Sequence, residues 1–228
     1  MVINRNEVDF ICVGEGEYPL LELVNSIESG KINYSIKNIW FKENGRVVKN
    51  EVRPPIENLD TLPFLDKYIF YSKYKMFSTN YMTMTARGCP YSCTYCCNDV
   101  WHTVYKGSKY LRRRSVDNVI EELLIMKIKY RIKRINFFDD VFVMDTKWLK
   151  EFSGKYKEKI GLPFGCMAHC KLINMERAKL LKDAGCYAVS FGLQTANEES
   201  RKNILKRIEK NDDVRKAASI CHTVDLKF

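Results

Sequence analysis

Hydrophobic and polar residues alternate with different periods along the 228-residue chain, and the changes of period divide it into three parts. Residues 1–34 have the pattern of one strand followed by one helix, and residues 35–76 that of a hairpin and a linker. Residues 77–228 have the pattern of strands that alternate with helices. Such alternation over a long stretch predicts an α/β fold with a parallel sheet.

The first two parts contain only short elements. The apolar run Val8–Val13 predicts a strand, Gly14–Glu17 predicts a turn, and apolar residues at helical spacing predict a helix from Pro19 to Gly30. Together they have the form of one strand–helix unit of an α/β sheet, which cannot form a domain alone. The following hairpin is predicted to turn at Asn44-Gly45.

The third part contains four predicted strands, and a fifth begins at its end. They are Tyr81–Ala86, Arg134–Phe138, Phe164–Ala168, Tyr187–Phe191 and Leu226–Phe228. The helices between them are predicted to begin after the cap Ser115, to span Thr146–Lys159, to run from the cap Asn174 to Gly185, and to begin near Glu198. In β/α barrels the functional residues collect on the loops that follow the strands. The polar residues after these strands are therefore candidates for a site.

The charge of the chain changes this picture little. Its formal net charge is +10, and much of the excess lies in Lys106–Arg114 and Lys127–Arg134. Because no aromatic stacking pattern accompanies these runs, we interpret them as solvated surface and do not expect nucleic acid as a partner.

No apolar stretch approaches the roughly 20 residues of a membrane span, and the first residues contain no signal-peptide pattern. These features predict a cytoplasmic protein.

Nine cysteines in a chain with no sign of secretion indicate metal ligands or packing residues. Cys89, Cys93 and Cys96 are separated by three and then by two residues. A single loop with this spacing can bring three thiolates to three irons of a 4Fe–4S cluster and leave the fourth iron without a protein ligand. Catalytic metal sites keep such an open position, and structural sites close it.

The other cysteines leave further interpretations open. Cys97 or His102 could supply the fourth ligand of a zinc site, and a ferredoxin-like cluster would also need a fourth ligand. The rival function is therefore an iron–sulfur or zinc-binding module without catalysis. Cys12, Cys166 and Cys186 lie in apolar runs and are predicted to be core residues, and Cys97, next to a ligand, is predicted only to pack.

The residues around the three ligands resemble the radical S-adenosylmethionine (radical SAM) superfamily. Gly88-Cys89-Pro90 and Tyr95 match the family pattern. In that family the open iron chelates the amino and carboxylate groups of S-adenosylmethionine, and one electron from the cluster cleaves this cofactor to methionine and a 5′-deoxyadenosyl radical. The resemblance implies an oxygen-sensitive enzyme with a small-molecule substrate and an electron donor such as flavodoxin or ferredoxin.

More of the chain resembles the group of this superfamily that has an N-terminal cobalamin-binding domain. The group includes anaerobic porphyrin cyclases, methyltransferases and methylthiotransferase relatives. The similar segments are Gly14–Glu17, the Asn-Gly hairpin, Leu59–Leu65, Phe137–Phe142 and Ser190–Thr195. The resemblance implies a partial parallel β/α barrel over residues 77–228, a hairpin and linker over residues 35–76, and a remnant of a Rossmann-like cobalamin-binding domain over residues 1–34.

The same resemblance predicts a chain truncated at both ends. The strand–helix pattern of residues 1–34 corresponds to the last unit of the cobalamin domain, and none of the three histidines lies in the family's Asp-x-His-x-x-Gly motif. We therefore expect cobalamin in a full-length parent and not in this chain. An inactive truncated relative is a further possibility.

The resemblance also implies which residues contact the cofactor. Asp139 and Asp140 follow the second barrel strand, where a carboxylate can accept hydrogen bonds from the ammonium group of S-adenosylmethionine. Gln194 follows the fourth strand, where relatives often have Glu, and His169 ends the third, where they often have Arg. With Tyr95 these are the predicted cofactor-binding residues. A helix cap for the aspartates and a structural role for His169 remain open, and the substrate and catalytic residues are not predicted.

Overall fold

The computed structural model describes residues 2–43, 45–74, 77 and 79–228. The chain separates into two compact units. The first comprises Met1–Glu57 with Val100–Tyr110, and the second comprises Asn58–Asp99 with Leu111–Phe228. The domain boundaries drawn from the sequence at residues 34 and 76 remain a prediction.

The first unit contains a three-stranded antiparallel sheet and a helix. The strands are β1 (Phe10–Cys12), β2 (Ile39–Glu43) and β3 (Arg46–Lys49), in the order β1-β2-β3, and the helix is α1 (Glu17–Glu28). The predicted strand, helix and hairpin are thus confirmed, although Asn44 of the predicted turn lies outside the described residues. The pairing of β1 was not foreseen, since β1 lies antiparallel to β2 and does not belong to a parallel sheet.

Little of the first unit is buried. Of the apolar residues of α1, Leu23 is buried against Ile36 and Ile39, while others such as Leu20 are exposed. Cys12 is also exposed, so its prediction as a core residue is wrong. It lies at the end of β1, an edge strand, where a side chain has a neighbouring strand on one side only.

The glycine turn after β1 is closely packed. Gly14 has a φ of +97°, and a Cβ atom there would lie 2.4 Å from the Tyr105 hydroxyl oxygen. The same hydroxyl accepts a hydrogen bond of 2.8 Å from the Glu15 N–H. Both the backbone conformation and the space therefore require glycine at this position.

The second unit is built on a four-stranded parallel sheet. Its strands are β4 (Asn80–Thr83), β7 (Arg134–Phe137), β8 (Phe164–Met167) and β9 (Cys186–Ser190), in the order β4-β7-β8-β9, and the short strands β5 (Ala86–Arg87) and β6 (Arg112–Arg113) pair separately. The helices after α1 are α2 (Tyr68–Tyr71), α3 (Cys97–Val104), α4 (Val116–Tyr130), α5 (Thr146–Lys159), α6 (Met175–Asp183), α7 (Glu198–Asn203) and α8 (Asn211–Thr223). The predicted α/β class with a parallel sheet is confirmed.

The predicted helix ends are confirmed by their hydrogen bonds. The Ser115 hydroxyl accepts from the Asn118 N–H at 3.2 Å, and the Asn174 amide oxygen accepts from the Arg177 N–H at 2.9 Å. Gly185, with a φ of +95°, follows α6. These caps satisfy N–H groups that have no partner within the helix and fix where each helix begins.

Aromatic side chains from the sheet and from α5 form the centre of the core. Phe137 of β7 and Phe164 of β8 are 5.5 Å apart between ring centroids, and Phe152 and Tyr156 of α5 pack on both. All four are fully buried. Cys166 and Cys186 are buried in the same core, as predicted. This close packing holds the strands in place, and the polar loops follow the ends of these strands.

Two strands differ more than the others from their predicted extents. The run Tyr81–Ala86 is interrupted because the Thr85 N–H donates to the Asp139 carboxylate and not to a neighbouring strand. After this break β5 turns away and pairs antiparallel with β6. The predicted fifth strand is present as a single parallel bridge between Ala188 and Lys227.

Hydrogen bonds connect the loops that leave the carboxyl ends of the strands. The Phe138 N–H donates to the Thr83 carbonyl at 2.9 Å, and the Ala168 N–H donates to the Ser190 carbonyl at 2.8 Å. The polar residues that follow these strands are therefore gathered at one edge of the sheet. Within the described residues, no helix combines the length and the apolar character needed to cross a membrane.

Candidate functional site

The loop that carries Cys89, Cys93 and Cys96 joins β5 to α3 and is fixed to a neighbouring loop. The Cys96 N–H donates to the Cys93 carbonyl at 3.0 Å, which closes a turn between these two ligands. Between them, the Thr94 N–H donates to the Leu205 carbonyl at 3.2 Å, and the Thr94 hydroxyl donates to the Ile204 carbonyl at 2.7 Å. The loop is thus anchored to the segment after α7, far along the chain.

The three thiols lie in one region of this loop. Cys93 is buried, and Cys89 and Cys96 are half-buried. Burial, with smaller contributions from the charges of Asp140, Cys93 and Cys96, raises the pKa of the Cys89 thiol to about 11. The main influence on this thiol is therefore its removal from water.

The donor set fits an iron–sulfur cluster. In the part of the chain that the structure describes, no three His, Cys, Asp or Glu side chains are grouped closely enough to hold a metal ion. Three soft thiols are nevertheless carried by one anchored loop, and thiols are the donors that a cubane cluster requires. Cluster binding would draw the thiols together and release their protons.

Asp139 has a structural position rather than the predicted contact with a cofactor. It is fully buried. The Thr85 N–H and hydroxyl donate to its carboxylate, the hydroxyl at 2.6 Å, and an Arg113 nitrogen lies 3.9 Å away. Burial raises the pKa of Asp139, while Arg113 and Thr85 act in the opposite direction. Because its oxygens face protein groups, Asp139 fixes the start of β5, and with it the cysteine loop, to the end of β7.

Asp140, the next residue, is exposed. Burial is the main cause that raises the pKa of both Cys89 and Cys97, and the charge of Asp140 adds to it. Of the two aspartates, Asp140 is the one that is open to solvent. Cys97 is exposed at the beginning of α3, so it does not pack as the sequence predicted, and its exclusion from the ligands stays a prediction.

His169 is buried beneath the cysteine loop. Its ring stacks on Tyr91, which lies between Cys89 and Cys93, with 4.3 Å between ring centroids. Its Nδ1 atom accepts from the Lys171 N–H at 3.3 Å, so the neutral ring carries its hydrogen on Nε2. The Nε2 atom lies 3.2 Å from a Glu209 carboxylate oxygen. A direct contact with a cofactor, as predicted from the sequence, is not what this geometry favours, because both ring nitrogens face protein groups.

Glu209 continues this chain of contacts to the other side of the loop. Its second carboxylate oxygen pairs with the Arg207 guanidinium. Arg207 also donates to the Tyr95 hydroxyl at 2.8 Å and to the Gly192 carbonyl at 2.9 Å. Although burial opposes ionisation, the contacts with His169 and Arg207 lower the pKa of Glu209 to about 2. Tyr91 and Tyr95, on the two sides of Cys93, are thereby connected through buried polar groups.

The ionisation of Glu209 predicts a pH dependence of stability. Its folded pKa of about 2 lies below the value of about 4.3 expected in the unfolded chain. The stability that its charge contributes is therefore complete above the unfolded pKa and is lost as the pH falls through the folded pKa. We expect the difference in free energy of unfolding between this chain and Glu209→Gln to be constant above about pH 5 and to shrink as the pH approaches 2. Denaturant titrations at several pH values measure it, and a difference independent of pH would contradict the assignment.

The comparison with known families agrees with this site. A profile of the radical SAM superfamily matches residues 83–227, from the end of β4 to the bridge with β9. The chain belongs to the radical SAM superfamily. The match includes the cysteine loop, both aspartates, His169 and Gln194, and it confirms the family predicted from the residues.

Two curated relatives of the chain are named as methyltransferases. The chain is 33% identical over 193 residues to an uncharacterized methyltransferase of Pyrococcus horikoshii, a match that covers 83% of the chain and 41% of that protein. It is 26% identical over 234 residues to the cytidylyl-2-hydroxyethylphosphonate methyltransferase of Streptomyces wedmorensis, covering 88% of the chain and 43% of that protein. The predicted relationship to radical SAM methyltransferases is confirmed, and the chain spans less than half the length of these relatives.

A solved radical SAM structure shares the fold. TsrM, a methyltransferase of Kitasatospora setae determined with tryptophan substrate and an S-adenosylmethionine analogue, matches with a TM-score of 0.71 and 16% identity. The match covers 96% of this chain and 44% of TsrM. At this identity the similarity supports the radical SAM fold and not a shared substrate.

The last predicted site residue, Gln194, lies on the loop after β9. It is exposed and has a φ of +65°, a left-handed conformation that is uncommon for a residue other than glycine. Its amide lies over Gly192, where a Cβ atom would be 2.5 Å from the Gln194 amide nitrogen. Gly192 therefore leaves room for the amide at the loop that also contacts Arg207.

Three residues of the candidate site could not be identified from the sequence. Thr85, Glu209 and Arg207 match no motif of the family by themselves, and Glu209 and Arg207 follow α7 in a charged stretch that reads as solvent-exposed surface. A Glu next to several basic residues is ordinary on a surface. Glu209 is distinguished by its long-range contact with His169, and Arg207 by its contact with Tyr95. Such contacts have no local sequence signal.

Proposed function

We propose that Cys89, Cys93 and Cys96 hold a 4Fe–4S cluster, and that the full-length protein is a radical SAM methyltransferase acting on a small molecule. The observation that carries the proposal is the anchored three-thiol loop at the carboxyl edge of the parallel sheet. When bound, the cluster supplies the electron for reductive cleavage of S-adenosylmethionine. Methyl transfer as the reaction class is supported by the names of the two relatives.

The chain's own residues have three tasks in this proposal. The three thiolates bind the cluster and leave one iron open. Asp140 and Gln194 are exposed residues that follow β7 and β9, and there a carboxylate can accept hydrogen bonds from the cofactor's ammonium group and an amide can donate to its carboxylate. Tyr95, held by Arg207, places its ring beside the last ligand. An electron-transfer protein of the flavodoxin or ferredoxin type is the proposed reductant.

The N-terminal part extends the proposal to the parent protein. We infer that residues 1–34 derive from a cobalamin-binding domain, residues 35–76 form the connection, and residues 77–228 form the catalytic barrel. The exposed apolar face of α1 agrees with a helix that belongs to a larger layer. TsrM has also been solved with cobalamin and a 4Fe–4S cluster bound.

Anaerobic purification followed by an absorbance spectrum tests the proposed function. A brown protein with visible absorption that S-adenosylmethionine perturbs supports it. A colourless protein that contains zinc would favour a zinc-binding module. A brown protein that is insensitive to S-adenosylmethionine would favour an iron–sulfur module without catalysis.

Removing the Asp140 carboxylate is expected to weaken cofactor binding. A charged hydrogen bond to the ammonium group is worth about 1.5–3 kcal/mol, so Asp140→Ala should lower the affinity for S-adenosylmethionine about tenfold to a hundredfold. Titration calorimetry on the reconstituted protein measures this change, and the iron content should remain that of the unaltered chain. Asp183→Ala is the matched control, because Asp183 is exposed and ends α6 at the opposite edge of the sheet. Equal affinity in both variants would remove Asp140 from the proposed site.

A further inference from the structure

The two tyrosines that flank Cys93 are the ends of one continuous chain of contacts. The Tyr91 ring stacks on His169, and His169 makes a polar contact with Glu209. Glu209 forms an ion pair with Arg207, which donates a hydrogen bond to the Tyr95 hydroxyl. The three central members of this chain of contacts come from outside the cysteine loop. His169 follows β8, and Glu209 and Arg207 precede α8.

The central members are rigidly held. The Glu209 side chain is fully buried, and His169 is also buried. Arg201, a fully buried arginine, donates to the Glu209 carbonyl at 3.0 Å and fixes the backbone of this segment. A buried carboxylate is costly unless it is paired. A surface loop does not need such a group for stability alone, since a buried ion pair contributes little net stability over apolar packing.

We propose that His169 and Glu209 are positioning residues for the cluster: they hold Tyr91 and Tyr95, and so the loop of the three thiolates, in the geometry that the cluster requires. The inference rests on the proposed function. Residues that orient metal ligands through such contacts commonly change both metal affinity and redox potential when they are removed.

The charges of Arg207 and Glu209 are also expected to affect the reduction potential of the proposed cluster. Arg207 contacts Tyr95 on one side of Cys93, and Glu209 contacts the ring of His169 that stacks on Tyr91 on the other side, so both charges lie next to the loop. A negative charge near the cluster disfavours an added electron, and a positive charge favours it. Loss of Glu209 should therefore raise the reduction potential, and loss of Arg207 should lower it.

Four variants of the reconstituted chain test the proposal: His169→Ala, His169→Phe, Glu209→Gln and Arg207→Gln. The first readout is the rate of iron loss to a chelator under anaerobic conditions. His169→Ala and Glu209→Gln should lose iron about tenfold faster, the change expected when a charged contact is lost. His169→Phe, which keeps the stacked ring, should recover part of the difference. The second readout is a spectroelectrochemical titration, in which Glu209→Gln and Arg207→Gln should shift the potential in opposite directions.

Ser153→Ala is the matched control. It removes a buried hydrogen bond of 2.8 Å to the Leu180 carbonyl, away from the cysteine loop, and should lower stability without changing either readout. Iron loss at the unaltered rate in His169→Ala and Glu209→Gln, or potentials that do not move in opposite directions, would overturn the positioning role while leaving the cluster assignment intact. Absence of iron in the unaltered chain after reconstitution would refute both.

Discussion

Cys93→Ala is expected to bind no cubane cluster after anaerobic reconstitution with iron and sulfide, whereas the unaltered chain should bind about four irons. Cys93 is the buried member of the three thiols and begins the turn that ends at Cys96. Without it only two thiolates remain on the loop, and two cannot hold three irons of a cubane. Iron and sulfide analysis per chain, together with the visible absorbance, measures the loss.

Cys97→Ala is the matched control for this experiment, because it removes a neighbouring exposed thiol from the first turn of α3. We expect this variant to keep the iron content of the unaltered chain. Equal loss of iron in Cys93→Ala and Cys97→Ala would show that the third ligand is wrongly assigned. Full iron content in Cys93→Ala would remove the cubane assignment altogether.

Asp139→Ala is expected to lower the free energy of unfolding by about 3–5 kcal/mol, because removal of one partner leaves the other buried groups unpaired. The Thr85 N–H and hydroxyl would lose their acceptor, and Arg113, itself mostly buried, would lose an acidic neighbour at 3.9 Å. Thr85 lies at the break between β4 and β5, so the loss should also loosen the start of the cysteine loop. Denaturant unfolding of the cluster-free chain measures the change.

The neighbouring aspartate provides the control for this prediction. Asp140→Ala should unfold at nearly the same free energy as the unaltered chain, since its carboxylate is exposed and surface substitutions seldom exceed about 0.5 kcal/mol. Asp139→Asn keeps an acceptor for Thr85 and should therefore cost less than Asp139→Ala. Similar small effects for Asp139→Ala and Asp140→Ala would show that the buried contacts of Asp139 do not hold the loop.

Much of the fold could be predicted because its signals are local. Helical spacing and side-chain caps located α5 and the beginnings of α4 and α6, and the glycine after α6 located its end. The predicted strand ends differ from the observed ones by up to three residues, because an apolar run does not show where its backbone hydrogen bonds change partner. The break at Thr85 is of this kind, since it depends on a carboxylate that follows another strand.

The sequence by itself determined the family and indicated the three proposed thiol ligands, because a short loop must carry its ligands at fixed spacing and that spacing is visible in the chain. It could not distinguish Asp139 from Asp140, or assign His169. Successive residues at a strand end can face opposite sides, and only the tertiary structure buries Asp139 against Thr85 while it leaves Asp140 exposed. The pairing of His169 with Glu209 was decided in the same way, because residues 40 positions apart meet only when β8 and the segment before α8 are folded together.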